Sequence, residues 1–207
     1  MLIVIDYGTG NLGSIANILK KAGIESNVSS DIDVIEKADR LILPGVGSFD
    51  NGMKQLEERG LIPVLNKKVL IDKTPILGIC LGLQLMGKSS EEGTLSGLGW
   101  IDAQSIRFRF DGQIAHLKTP HMGWNILSYA KPHPIFTGLY DENRFYFVHS
   151  YYLVCKHSDS VMATTEYGFK FTCAAMNENI LGVQFHPEKS HKFGMRLLKN
   201  FAEWEKT

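Results

Sequence analysis

Two short segments of this 207-residue chain carry the residue types of nucleophilic catalysis. The first is Gly78-Ile79-Cys80-Leu81-Gly82, which follows the apolar run Pro75-Ile76-Leu77 and precedes the helical pattern of Leu81, Gln84 and Leu85. A cysteine between two glycines at a strand-to-helix junction is the thiol form of a nucleophile elbow, a turn that lifts the reactive atom above the sheet edge. Glycine suits both flanks because a side chain there would meet the returning backbone. A helix N-terminus directly after Cys80 would favour the thiolate, the reactive form of a group whose ordinary pKa is about 8.5. The second segment is His186-Pro187-Glu188. In extended chain, residues two apart point the same way, and Pro187 stiffens the link. The carboxylate can then hold one imidazole nitrogen and leave the other for the thiol, which reads as Cys-His-Glu chemistry.

Other residues compete for roles or would support these. His149, in Phe147-Val148-His149-Ser150-Tyr151, is a rival base that spacing alone does not remove. Pro44-Gly45-Val46-Gly47 follows the strand pattern Leu41-Ile42-Leu43. Loops at the ends of parallel strands gather on one edge, so the amides near Val46 and Gly47, with that of Leu81, could hold an oxyanion beside Cys80. Gly8-Thr9-Gly10-Asn11-Leu12-Gly13 matches G-x-G-x-x-G, with Asp31 and Asp33 near the distance of a ribose-binding acid, and so offers a dinucleotide site as an alternative. Cys155 and Cys173 lie in alternating runs and read as core. No cofactor is expected, and no metal, since one His-x-Glu supplies too few ligands.

The elements that must position these groups are an α/β set. Strands are expected over Leu2–Ile5, Ser26–Ser29, Leu41–Leu43 and Ile76–Ile79, alternating with helices: one capped by Ser14 and ended by Gly23, one over Asp50–Arg59, one over Leu61–Ile71. That alternation implies a mostly parallel central sheet flanked by helices. The second half changes to additional antiparallel strands: Ser105–Phe110 with a hairpin turn at Asp111-Gly112, then Phe145–Val154, Val161–Glu166, Phe171–Met176 and Ile180–Phe185. Phe193, Leu197, Leu198, Phe201 and Trp204 mark one face of a last helix. With no linker or repeat, residues 1–207 read as one domain. Hydrophobic residues are 44%, charged residues 21%, and the formal net charge is +0, so nothing argues for a nucleic-acid or membrane surface. Three widely spaced cysteines and no signal sequence point to a reducing, cytoplasmic setting.

Taken together, Gly78-Ile79-Cys80-Leu81-Gly82-Leu83-Gln84 and Gly182-Val183-Gln184-Phe185-His186-Pro187-Glu188 resemble the nucleophile and base motifs of class I glutamine amidotransferases. Five further segments narrow the resemblance to the glutaminase subunits of imidazole glycerol phosphate synthases. They are Asp6-Tyr7-Gly8-x-Gly10-Asn11, Leu43 to Gly47, Pro120-His121-Met122-Gly123-Trp124-Asn125, Tyr146 to Tyr151, and His186 to Ser190. The resemblance implies that Cys80, His186 and Glu188 are nucleophile, base and orienting acid. It implies that Gln84 helps hold the substrate glutamine and that Val46 lies on the oxyanion strand. Asn11, Trp124, Tyr146 and Lys189 would lie at a partner interface, and the glycine-rich turn at Gly8 would face that partner and bind no dinucleotide. No P-loop or phosphate cradle is visible for a second reaction, and ammonia released to water would be lost. The implied partner is a (β/α)₈-barrel cyclase or synthase in a heterodimer, working in histidine biosynthesis. A related use of the same chemistry, supplying ammonia to a sugar-modifying enzyme of surface-polysaccharide synthesis, is the alternative.

Overall fold

The computed structural model describes residues 1–139 and 143–204. Strand β1 (Leu2–Ile5) is wholly buried, and its side chains alternate between two cores. Leu2 and Val4 pack with Ile15, Ile18 and Leu19 of helix α1 (Leu12–Lys21); Ile3 and Ile5 face the opposite layer. After β2 (Ser26–Ser29), α2 (Ile32–Glu36) and β3 (Arg40–Leu43) come α3 (Phe49–Glu58) and α4 (Leu61–Asn66), which supply that second layer with Phe49, Met53, Leu56, Leu61 and Leu65. A π-helical turn, Lys67–Ile71, continues α4. Strand β4 (Ile76–Ile79) leads through Cys80 into α5 (Leu81–Leu85). Continuous apolar strands are what a sheet covered on both faces demands.

The second half adds β5 (Ser89–Ser90), β6 (Ala103–Arg107), β7 (His121–Ile126), β8 (Ser128–Tyr129), β9 (Arg144–His149), β10 (Tyr151–Cys155), β11 (Val161–Tyr167), β12 (Phe169–Asn177), β13 (Ile180–Val183) and α6 (His191–Glu203). The large sheet runs β2-β1-β3-β4-β13-β12-β10-β6-β5, with β11 joining β12 to β8. Strands β2, β1, β3, β4 and β13 are mutually parallel; β12, β10 and β6 follow antiparallel. Strands β7 and β9 form a separate antiparallel ribbon, linked to the main body by a bridge between Tyr146 and His186. The expected mixed α/β sheet is therefore present.

Four expectations need correction. Helix α1 starts at Leu12 with Asn11 as its cap, so Ser14 lies inside it and caps nothing. The pattern over residues 61–71 divides where α4 relaxes into its π turn. The run Phe145–Val154 is two strands broken at Ser150, because β9 pairs with β7 while β10 pairs with β6 and β12. Asp111-Gly112 makes no hairpin: Gly112 opens a 3₁₀ turn, and Phe108 and Phe110 turn into an aromatic cluster with Tyr167 and Phe169.

Candidate active site

The register of the central strands explains why residues far apart in sequence meet. Strands β4 and β13 are parallel neighbours with Gly78 opposite Gly182 and Ile79 opposite Val183. Cys80 and Gln184 therefore leave the sheet side by side. The Cys80 amide donates to the Val183 carbonyl (2.8 Å), and Cys80 adopts φ 55°, ψ −108°. A positive φ on a non-glycine residue costs on the order of 1–3 kcal/mol and is kept where the surroundings impose it. Here they do: a Cβ at Gly82 would lie 1.9 Å from the Leu43 carbonyl oxygen, and one at Gly78 would lie 2.8 Å from the Gly82 backbone. The glycines of the elbow are required by close approach of β3 and by the turn itself.

His186 follows β13 and is held three ways. Its amide donates to the Tyr146 carbonyl (2.8 Å), and its carbonyl accepts from Ser190 Oγ (2.6 Å), which itself accepts from the Tyr146 amide (3.0 Å). The 3₁₀ turn Pro187–Lys189 brings Glu188 back, so that Oε1 accepts from His186 Nδ1 at 2.7 Å with both side chains buried. Nε2 is then left free of Glu188, and Cys80 lies near enough to the ring to act on its titration. Burial would push the imidazole pKa down; the contacts with Cys80 and Glu188 reverse this and raise it to about 10. A buried imidazole whose charged form is favoured, in one wall with a cysteine, can exchange a proton with a thiol or its substrate. Helix α5 begins directly after Cys80 and has five residues.

Cys80 opens into a cavity of about 340 Å³ lined by Val46, Gly47, Leu81, Gln84, Glu92, Pro120, Val148, His149, Ser150, Tyr151, His186 and Lys189. The volume suits an amino-acid-sized ligand. Val46 and Gly47, the latter at φ 105°, thus share a wall with Leu81 and the thiol. Gln84 Nε2 donates to the Tyr151 carbonyl (3.2 Å) and to Gln184 Oε1 (3.0 Å), and Gln184 Nε2 reaches Cys80 Sγ at 3.6 Å. His149 is in the wall, but its Nδ1 donates to the Tyr151 carbonyl (2.7 Å) and its Nε2 meets His121 Nδ1 (3.1 Å). Both of its nitrogens are therefore engaged, which leaves neither free to face Cys80. Sequence reasoning missed Glu92, whose exposed carboxylate on the cavity rim accepts from the Phe49 amide, and Gln184 and Ser190. Gln184 lay two residues before His186 on the same strand face, a signal present in the sequence; Glu92 had none.

The residues expected at an interface largely cluster. Trp124 and Tyr146 are cross-strand partners with ring centroids 6.0 Å apart, Lys189 Nζ lies 5.7 Å over the Tyr146 ring, and His191 stacks on Trp124 at 5.4 Å. Asn11 lies at the head of α1, its side chain making no capping bond, and α1 packs against the turn Pro187–Lys189. In the glycine-rich turn that Asn11 belongs to, a Cβ at Gly10 would lie 3.2 Å from Pro44, and Asp31, one of the two acids expected near a ribose, caps α2 by accepting from the Asp33 amide. Among the described residues no group of three or more His, Cys, Asp or Glu is placed to hold a metal, and no helix is long and apolar enough to cross a membrane. Cys173 is buried and Cys155 partly so; burial raises both thiol pKa values, that of Cys155 to about 11.

The chain matches the family "Glutamine amidotransferase class-I" over residues 3–204. It is 52% identical over 203 residues to "Imidazole glycerol phosphate synthase subunit HisH 2" of Methanococcus maripaludis, covering 98% of this chain and 99% of that protein. It is 52% identical over 204 residues to the protein of the same name from Pseudomonas aeruginosa, with the same coverages. Among solved structures, "Crystal structure of glutamine amidotransferase" superposes with a TM-score of 0.73 at 21% identity over 97% of each chain. A chain of PurLQS from Thermotoga maritima superposes with a TM-score of 0.71 at 18% identity over 98% of this chain and 97% of that one. The two structural likenesses speak for the fold; the match over nearly the whole sequence shows that this chain belongs to the class I glutamine amidotransferase family.

Proposed function

We propose that residues 1–207 form one glutaminase domain that hydrolyses glutamine through Cys80, His186 and Glu188 and passes the ammonia to a (β/α)₈-barrel cyclase or synthase. The joint products would be imidazole glycerol phosphate and aminoimidazole carboxamide ribotide, in histidine biosynthesis. The observation that carries the chemistry is the buried Glu188–His186 pair, with Oε1 to Nδ1 at 2.7 Å, in the same cavity wall as Cys80. The names of the relatives, each a component of imidazole glycerol phosphate synthase, support the pathway and the need for a second protein.

In this reading Cys80 Sγ attacks the side-chain carbonyl carbon of glutamine. The amides around Val46, Gly47 and Leu81 receive the oxyanion; one such donor contributes about 3–4 kcal/mol in the transition state. The C–N bond breaks as His186 Nε2 gives its proton to the departing nitrogen, leaving a γ-glutamyl thioester and ammonia. His186 then takes a proton from water, which cleaves the thioester to glutamate and restores the thiol. Glu188 keeps the imidazole oriented through both steps. Gln84, Glu92, Ser150 and Tyr151 supply the polar contacts of the cavity, with the Glu92 carboxylate placed for an α-ammonium group.

The surface that would receive the partner is the exposed apolar row Met122, Trp124 and Ile126 on β7, beside Tyr146 and Lys189. Outward-facing large apolar residues at period two on a strand mark an interaction face. The test is a glutaminase assay of the full chain with and without candidate barrel synthases and the acceptor nucleotide. Activity that is low alone and rises with partner and acceptor supports the reading; full activity of the chain alone contradicts it. The alternative use of this chemistry is ammonia supply to a sugar-modifying enzyme of surface-polysaccharide synthesis. Complementation of a histidine auxotroph lacking its own glutaminase separates the two uses.

A further inference from the structure

Strand β7 has two faces with different tasks. Met122, Trp124 and Ile126 point outward, while His121 is buried and Asn125 half-buried on the inner side. From that inner side a line of hydrogen bonds runs into the wall of the candidate active site, and its direction is fixed by chemistry. Asn125 Nδ2 donates to the Glu166 carbonyl (2.8 Å), which settles the amide orientation. The same nitrogen lies 3.4 Å from His121 Nε2. His149 Nδ1 lies 2.7 Å from the Tyr151 carbonyl, which can only accept, so Nδ1 carries the proton. His149 Nε2 and His121 Nδ1 are 3.1 Å apart, a gap that holds one proton. In neutral rings the proton must then sit on His121 Nδ1, with His121 Nε2 accepting from Asn125. Aromatic rings enclose the pair: His121 stacks between Tyr167 (4.3 Å) and Phe147 (4.9 Å), and His149 lies against Phe108 (5.3 Å) and Phe171 (5.5 Å). Burial lowers both pKa values, to about 4 for His121 and about 3 for His149, in keeping with neutral rings.

We propose that Asn125, His121 and His149 are positioning residues for the substrate pocket. They form a one-way hydrogen-bond chain from the strand that carries Trp124 to the Tyr151 carbonyl, on which the Gln84 amide also rests. The identity of the pocket's ligand as glutamine rests on the function proposed above; the polarity of the chain does not. Tyr151 and Gln84 both line the cavity, and Gln84 continues through Gln184 to Cys80 Sγ. Removing the His149 donor leaves the half-buried Tyr151 carbonyl short of one partner and frees the wall that Gln84 leans on.

The test has two arms on the full chain. Nitrogen NMR of the histidine rings near neutral pH should find His121 and His149 both protonated on Nδ1, a tautomer less common in free imidazole. A proton on His149 Nε2 overturns the proposal. The second arm follows inactivation of Cys80 by a diazoketone analogue of glutamine. His149→Phe keeps the ring and loses the donor, and should weaken the inhibitor's reversible binding about tenfold with a much smaller change in the maximal inactivation rate. His149→Asn places an amide nitrogen where Nδ1 stood, and should restore binding to within about threefold of the parent chain. Equal binding by the Phe and Asn variants, or a Phe variant that binds like the parent, overturns the proposal. If His149→Phe does not fold, His121→Phe and His121→Asn make the same comparison one link further out. A parent chain that the diazoketone does not label refutes the glutaminase reading, and the tautomers still decide whether the chain runs as described.

Discussion

The wall of one cavity holds two histidine sites that burial treats alike and neighbours treat oppositely. His186 and His149 are both almost inaccessible to solvent, which by itself disfavours the charged ring. His186 faces Cys80 and Glu188 and is raised to about 10; His149 faces a carbonyl and His121 and is lowered to about 3. Depth of burial therefore does not distinguish the two rings. The distinguishing feature is the acidic neighbour, which the turn Pro187–Lys189 supplies by folding Glu188 back onto Nδ1 of His186.

The largest test of that contrast removes the sulfur. Cys80→Ala should lower glutamine hydrolysis by at least about 10⁴-fold, and should also drop the His186 pKa, read by NMR, while leaving His149 in place. A variant that keeps its His186 titration would show that the raised value comes from elsewhere. Next, Glu188→Gln should cost on the order of 10²–10⁴-fold in kcat, since the ring loses its orienting charge while its shape neighbours stay. The two sites also predict opposite stability slopes. The folded pKa of His186 lies above the unfolded value of about 6.5, so its contribution is complete below that pH and is lost as pH rises toward about 10. For His149 and His121 the folded values lie below it, so their contribution is complete above about pH 6.5 and is lost as pH falls toward 3–4. Denaturant midpoints measured across pH in the parent, Cys80→Ala and His149→Asn chains should show the alkaline slope diminish in the first variant and the acid slope in the second. The smallest expected effect is at Ser190, which ties the His186 carbonyl to the Tyr146 amide. Ser190→Ala should lower kcat by roughly tenfold or less, consistent with loss of about 1 kcal/mol of positioning.

The parallel half was legible because its signal is simple. Leu2–Ile5 and Ile76–Ile79 are continuous apolar runs between turn residues, and the structure gives those bounds. Cys80, His186 and Glu188 were visible for a related reason: an elbow and a His-x-Glu at a strand end are local patterns, and parallel pairing of β4 with β13 brings them together. The antiparallel half was less legible, because alternation shows which face a residue takes and not which strand it pairs with. The break at Ser150 moves one continuous pattern into two sheets. Strand β7 escaped notice because His, Gly, Trp and Asn give it little strand character and because its apolar residues face outward, the reverse of a strand that packs only within its own fold. Its inner residues, His121 and Asn125, gain a role only through neighbours remote in sequence.

On the function proposed above, Cys80 becomes acylated by glutamine and His186 serves both halves of the cycle. The most direct measurement is a rapid acid quench of the chain during turnover with glutamine, in the presence of a barrel partner and acceptor, followed by mass mapping of the peptide that holds Cys80. A γ-glutamyl adduct on Cys80, absent in Cys80→Ala, is the expected result. Ammonia release by Cys80→Ala at the parent rate would contradict it.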